Sequence, residues 1–135
     1  MLGSLFSYDV NDPGWTYRGT DQQVLNITGR VGAWIADFML SIIGFMAFTF
    51  PLMLMSSAWK FLSEARSEHV DTLAHQLIRW ISFIVFLLAG SGLLDMHYYQ
   101  SWLTIPNSPG GIIGLELSNA LTNLFAFQGA TLILL

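Results

Sequence analysis

The sequence predicts an all-α membrane protein: a multi-span transmembrane helical bundle with an amphipathic interfacial helix in its second outer loop. Three observations carry this. Of 135 residues, 53% are apolar and only 10% charged, against about one quarter charged in an ordinary soluble domain. A chain of this size keeps roughly a third of its unfolded surface in water after folding, and five Lys plus Arg with nine Asp plus Glu are few for that task. Finally, two long apolar runs, Phe38 to Trp59 and Leu77 to Leu94, stand between short polar segments.

In chain order, residues 1–7 open on a short apolar stretch without the basic flank of a signal peptide, and are expected to be the outer end of an earlier span. Residues 8–30 are polar and turn-rich. Asn11-Asp12-Pro13-Gly14 has the chemistry of a tight turn: an Asx side chain, a fixed proline φ, a permissive glycine. Asn26-Ile27-Thr28 is formally a glycosylation sequon, which weighs little without a known host.

Residues 38–59 hold 22 residues without a charge, closed by Asp37 and Lys60. As a helix they reach about 33 Å, enough for a hydrocarbon core of about 30 Å. A chain this small cannot surround such a helix with protein. Pro51, in the middle of the run, predicts a kink. Residues 60–76 form a polar connection, in which Ser67 is a candidate cap and Glu68 falls in a first turn. Val70, Leu73, Ala74 and Leu77 follow helical spacing, so the next helix starts before its span at 77–94. Arg79, the one charge of that span, lies near its end, where a long side chain can snorkel to the headgroups.

Residues 95–125 form the second outer loop. Pro106 to Gly111 breaks any helix. Beyond it, Ile113, Leu117, Leu121 and Leu124 make an apolar stripe, with Glu116, Asn119 and Asn123 at polar positions. That pattern suits a helix lying in the interface. Residues 126–135 turn apolar again and are expected to start a last span.

Lys60, Arg66 and Arg79 crowd the segment between the two long runs, whereas Arg18 and Arg30 are the only basic residues before it. The positive-inside rule then places 60–76 in the cytoplasm and both other loops outside. Trp34, Trp59, Trp80 and the Tyr98/Tyr99/Trp102 group fall near span ends, as an aromatic belt does.

The chemistry that can be excluded is broad. Without cysteine there are no disulfides or thiolate metal sites. A net charge of −4 offers no basic footprint for nucleic acid. Asp95 and His97, with Glu116, lack the spacing of a metal site. The single lysine, Lys60, follows Trp59, so no phosphate-cradling loop exists. No catalytic residue, cofactor or metal is expected. Gly44 and Ser41, and Gly90, Ser91 and Gly92, permit close helix approach, and Gly110 with Gly114 has G-x-x-x-G spacing. The span centres carry no charge, which argues against a pump. A small channel or transporter subunit and an orphan membrane scaffold stay open beside an anchoring module.

The run Ser7-Tyr8 through Asp12-Pro13-Gly14-Trp15 resembles the "S-Y-x-x-x-D-P-S-W" loop after the first span of FtsK/SpoIIIE-type DNA translocases, with Gly14 in place of the serine. Asn26 through Gly29, Gly32-Ala33-Trp34 and Asp37 resemble that family's "N-x-x-G-x-x-G-A-W-x-A-D". Gly44-Phe45 through Pro51, Gly90-Ser91-Gly92 with Leu94, and Gly110-Gly111-Ile112-Ile113-Gly114 resemble further family elements, in order. The resemblance implies the N-terminal four-span membrane domain of such a protein, here with its first and fourth spans incomplete and the motor absent. It implies further a bacterial inner-membrane location at the division septum, self-association as a hexamer, and contacts with lipid and other division proteins. ATP and Mg would belong to the motor. Asp12, Pro13, Trp15, Gly32, Ala33, Trp34 and Asp37 become candidate interaction residues. Gly44, Pro51, Gly90 and Gly92 become candidate packing residues.

Overall fold

The computed structural model describes residues 1–18, 24–64, 73–98 and 108–135. Among these every regular element is helical: α1 (Leu2–Phe6), α2 (Gly29–Ile43), a 3₁₀ segment (Gly44–Phe48), α3 (Thr49–Glu64), α4 (Leu73–His97) and α5 (Gly111–Leu134). The expected cap at Ser67, Arg66, and the Tyr99, Trp102 and Pro106 positions lie outside the described residues.

α2 shows how the sequence sorts its faces. Gly32, Ala33, Ala36, Asp37, Leu40, Ser41 and Ile43 are buried, one stripe at helical spacing made mostly of small and polar residues. The opposite face carries Val31, Trp34 and Ile35, all exposed. α4 goes further: Leu77, Ile78, Ile81, Ile84, Val85 and Phe86 are exposed while Ser91 and Gly92 are buried. Small residues inside and large apolar residues outside is the arrangement of helices that pack on one another within lipid. Gly29–Ser63 and Leu73–His97 are each long and apolar enough to cross a membrane.

The first of these stretches is interrupted, though not where proline led one to expect. Gly44 adopts φ 57, ψ −138 and the chain tightens into 3₁₀ through Phe48 before α3 resumes. Pro51 instead lies buried in the first turn of α3, where a missing N–H deprives no earlier carbonyl of a partner. The expected kink at Pro51 is thus displaced to Gly44. Interrupted backbone inside an apolar bundle must find partners within protein, and it does. Phe45 N–H donates to the Pro109 carbonyl at 2.9 Å, and the Ser91 hydroxyl donates to the Ile43 carbonyl at 3.3 Å. A Cβ on Gly44 would collide with the Pro109 carbonyl, and one on Gly111 would stand 2.5 Å from the Ile42 carbonyl.

α5 is two arms. Ala126 (φ 56, ψ 171) breaks the helix. In the first arm Gly114 lies against Ser91 and Ser118 bonds to Asp95. In the second, Thr131 meets His97 and Leu134 reaches Gly92. The arms therefore run in opposite directions along α4. A helix is present where the amphipathic one was expected, as the first arm; it packs along the end of α4 through Gly114 and Leu117, with Gly111, Gly114 and Ser118 as its buried positions and Leu124 exposed. Gly110 and Gly114 both lie against Ser91 of the same chain, so their spacing serves this packing and not a dimer contact. The turn at 108–111 sits level with Ser91, one to two helical turns down α4 from His97.

Candidate functional site

The loop after α1 is tied to α2 by two carboxylates. Asp37, 4% exposed, accepts the Tyr8 hydroxyl at 2.9 Å through Oδ1 and the Thr16 amide at 2.7 Å through Oδ2. The Thr16 hydroxyl lies 2.9 and 2.8 Å from the same two oxygens. A carboxylate taken out of water must be met by donors, and here each oxygen is. Burial, followed by the hydrogen bond to and charge of Asp37, pushes the Tyr8 phenol well above its ordinary range. Tyr8 therefore stays a donor.

Asp12, also buried, accepts the Leu25 and Asn26 amides at 2.8 Å each, one per oxygen. Its near neighbour Asp9 closes the turn on Asn11 at 2.8 Å, and the Gly14 amide donates to the Tyr17 carbonyl at 2.7 Å. Asn26 Nδ2 donates to the Ser4 and Ser7 carbonyls at 2.9 and 3.2 Å. These are carboxyl-terminal carbonyls of α1 with no helical partner. Asn26 Oδ1 accepts the Thr28 amide and hydroxyl at 3.1 and 2.6 Å. The amide of the formal sequon is thus committed to the fold.

The residues singled out in the sequence fall into two groups. Asp12, Gly32, Ala33 and Asp37 are interior; a Cβ on Gly32 would stand 2.5 Å from that of Thr28. Pro13 is half-buried. Trp15 and Trp34 are 49% and 48% exposed. Both rest on Phe38: Trp15 edge-on at 5.6 Å, Trp34 stacked at 5.7 Å with planes 3° apart. The outcome is a three-ring patch beside the pinned loop.

Among the packing residues, Gly44 abuts Pro109–Gly111, Gly90 the Met46 side chain, and Gly92 Leu117 and Leu134. Asp95 and His97 do not converge. Asp95 takes the Ser118 hydroxyl, while His97 meets Thr131 at 3.1 Å and Phe127 ring-to-ring at 5.1 Å. No group of three metal-ligating side chains occurs among the described residues. Sequence reasoning missed the roles of Tyr8, Thr16, Asn26 and Ser91. The first three had a signal in their flanking of the Asp12 turn and the Asp37 helix.

The whole chain, residues 1–135, matches the family model described as the 4TM region of DNA translocase FtsK/SpoIIIE. The chain belongs to this family. It is 34% identical over 140 residues to DNA translocase FtsK 2 of Ralstonia nicotianae, covering 100% of the chain and 18% of that protein. It is 34% identical over 131 residues to DNA translocase FtsK of Pseudomonas putida, covering 96% of the chain and 15% of the relative. For the Pseudomonas aeruginosa protein of the same name the values are 31% over 131 residues, 96% and 16%. No solved structure matches the chain. The chain is thus a membrane segment whose regular elements are all helical among the described residues, and it spans less than a fifth of the length of these relatives.

Proposed function

We propose that this chain is the membrane-anchoring and interaction region of a septal DNA translocase, and that the outer loop with its aromatic patch recruits the protein to other division proteins. In this reading the region sits in the bacterial inner membrane with residues 8–30 and 95–125 facing outward, and it holds a hexameric motor that couples chromosome clearance to septation. The first arm of α5 lies at the outer interface. Motor chemistry, with ATP and Mg, is assigned to other parts of the polypeptide.

One observation carries the proposal beyond family membership. Asp12, Asp37 and Asn26 use their polar atoms on the backbone and side chains of the same loop and helices, and the loop they hold presents Trp15 and Trp34 outward. Preorganised aromatics at about half exposure supply contact area at little entropic cost.

The test is septal localisation of the full-length protein carrying Trp15→Ala, Trp34→Ala or both. The double variant is expected to insert normally and to lose most of its septal enrichment. Wild-type enrichment in the double variant, with membrane levels unchanged, refutes the recruitment role.

A further inference from the structure

We propose that the 3₁₀ segment Gly44–Phe48 is a hinge on which α3 tilts as a rigid arm, and that the amino end of α5 sets its angle. The two sides of the segment are held very differently. On the near side α2 carries a buried stripe from Gly32 to Ile43, and Ala47 joins Leu40 and Ile43 in the core at 0% exposure. On the far side no residue from Leu52 to Ser63 is buried, and only Met53 and Ser57 are half-buried. α3 meets the bundle chiefly through the 3₁₀ segment and through Phe50 in its first turn, whose ring lies 6.1 Å from that of Phe83. Further along, Arg79 of α4 reaches across, its Nη2 donating to the Ser56 and Ser57 hydroxyls at 3.1 and 2.9 Å. Two hydrogen bonds to small hydroxyls make a clasp, not a packed interface.

The backbone of the segment suits a pivot. A 3₁₀ stretch inside a helix has poorer hydrogen-bond geometry than its flanks and often marks a hinge. Hinges are a few residues at element ends that absorb changes in φ and ψ. Here the segment opens on Gly44 at φ 57, and the Thr49 hydroxyl closes it on the Met46 carbonyl at 2.7 Å.

α5 touches this pivot without slack. Phe45 N–H donates to the Pro109 carbonyl at 2.9 Å, and a Cβ on Gly44 would stand 2.6 Å from the Gly111 nitrogen. Packed backbone cannot be compressed, so a shift of α5 at its amino end must move the segment. A push of about 1 Å applied one helical turn, about 5.4 Å, from the pivot is a tilt of about 10°. At Leu62, about 21 Å along the arm, that tilt is a displacement of about 4 Å.

This inference does not rest on the recruitment reading. The chain has no cysteine, so spin-label pairs can be placed at will and their distances measured by pulsed electron resonance in bilayer discs. Leu62→Cys with Ser82→Cys reports the arm against α4, and Ile35→Cys with Ser82→Cys is the reference within the packed part. The arm pair is expected to show the broader distribution. Arg79→Gln should widen it further and Arg79→Lys should restore it, with the reference unchanged. The coupling is tested from α5. A Cβ on Gly114 would stand 2.4 Å from the Ser91 carbonyl, so Gly114→Ala pushes the first arm of α5 by about 1 Å and should move the mean of the arm pair by about 4 Å. Ser118→Ala, which only frees that arm from Asp95, is the gentler variant and should broaden the same distribution. An arm pair as narrow as the reference in Arg79→Gln overturns the hinge, as does an equal shift of both pairs. An arm pair that ignores both α5 variants overturns the coupling.

Discussion

Removing the Asp37 carboxylate should release the loop after α1 without unfolding the helices. In Asp37→Ala the Tyr8 hydroxyl, the Thr16 amide and the Thr16 hydroxyl lose their acceptor together. Hydrogen bonds to a charged group contribute about 1.5–3 kcal/mol each. Thr16 is exposed and Tyr8 half-buried, so water replaces much of what is lost, and the net cost is about 2 kcal/mol rather than the sum. That is about a 30-fold increase in the fraction of time the loop stands open. The assay is amide hydrogen exchange in detergent, read at Thr16 and, as a reference, in the middle of α4. Thr16 should exchange about 30-fold faster while the α4 reference holds. Asp37→Asn, which keeps one acceptor oxygen, should shift Thr16 by about fivefold. Unchanged exchange at Thr16 would show that the carboxylate does not hold the loop. An equal rise at both sites would show that loop and bundle open as one unit, and would equally refute the reasoning.

Three further outcomes concern Tyr8, Gly44 and Gly90. Tyr8 titrates above its ordinary value of 10.0 in the folded chain, so its contribution is fully present below about pH 10 and drains away as pH rises toward the folded value; melting temperatures of wild type and Tyr8→Phe should therefore converge as pH climbs past about 10, and parallel curves would contradict this. Gly44→Ala combines a positive φ with a collision against the Pro109 carbonyl, so it should destabilise by about 3 kcal/mol or more. Gly90→Ala meets only the flexible end of Met46 and should stay within about 1 kcal/mol, both measured by thermal unfolding in detergent.

The sequence carried the spans openly because composition alone decides whether a stretch such as Phe38 to Trp59 prefers hydrocarbon. It also disclosed a turn near Asp12, whose chemistry is local, but shifted: the hydrogen-bonded turn runs Asp9–Asp12 and Asp9, not Asn11, supplies the Asx side chain, while the Gly14 amide bonds onward to Tyr17. What it concealed has a tertiary origin. Gly44 sits in an uninterrupted apolar run, and nothing near it announces the break, because the groups that satisfy the break are Pro109 and Ser91. Pro51 drew attention as the loudest local signal, yet the first turn of a helix absorbs a proline. Ala126 reverses the chain with a residue that favours continuing a helix. In the loop after α1 and at the start of α2, residue types marked Asp12, Trp15 and Asp37 as special. Only geometry separated the two acids that build the loop from the tryptophans that face outward.

The interrupted helix has a consequence for biosynthesis. Ribosomes deliver a polypeptide from its amino end, so the stretch around Gly44 reaches the bilayer before its remote partners exist. Ser91 lies 48 positions after Ile43, and Pro109 is later still. An orphaned peptide group in oil costs several kcal/mol. The nascent segment therefore travels in a different, self-satisfied shape, and takes its mature broken form only when the later hairpin arrives to complete it.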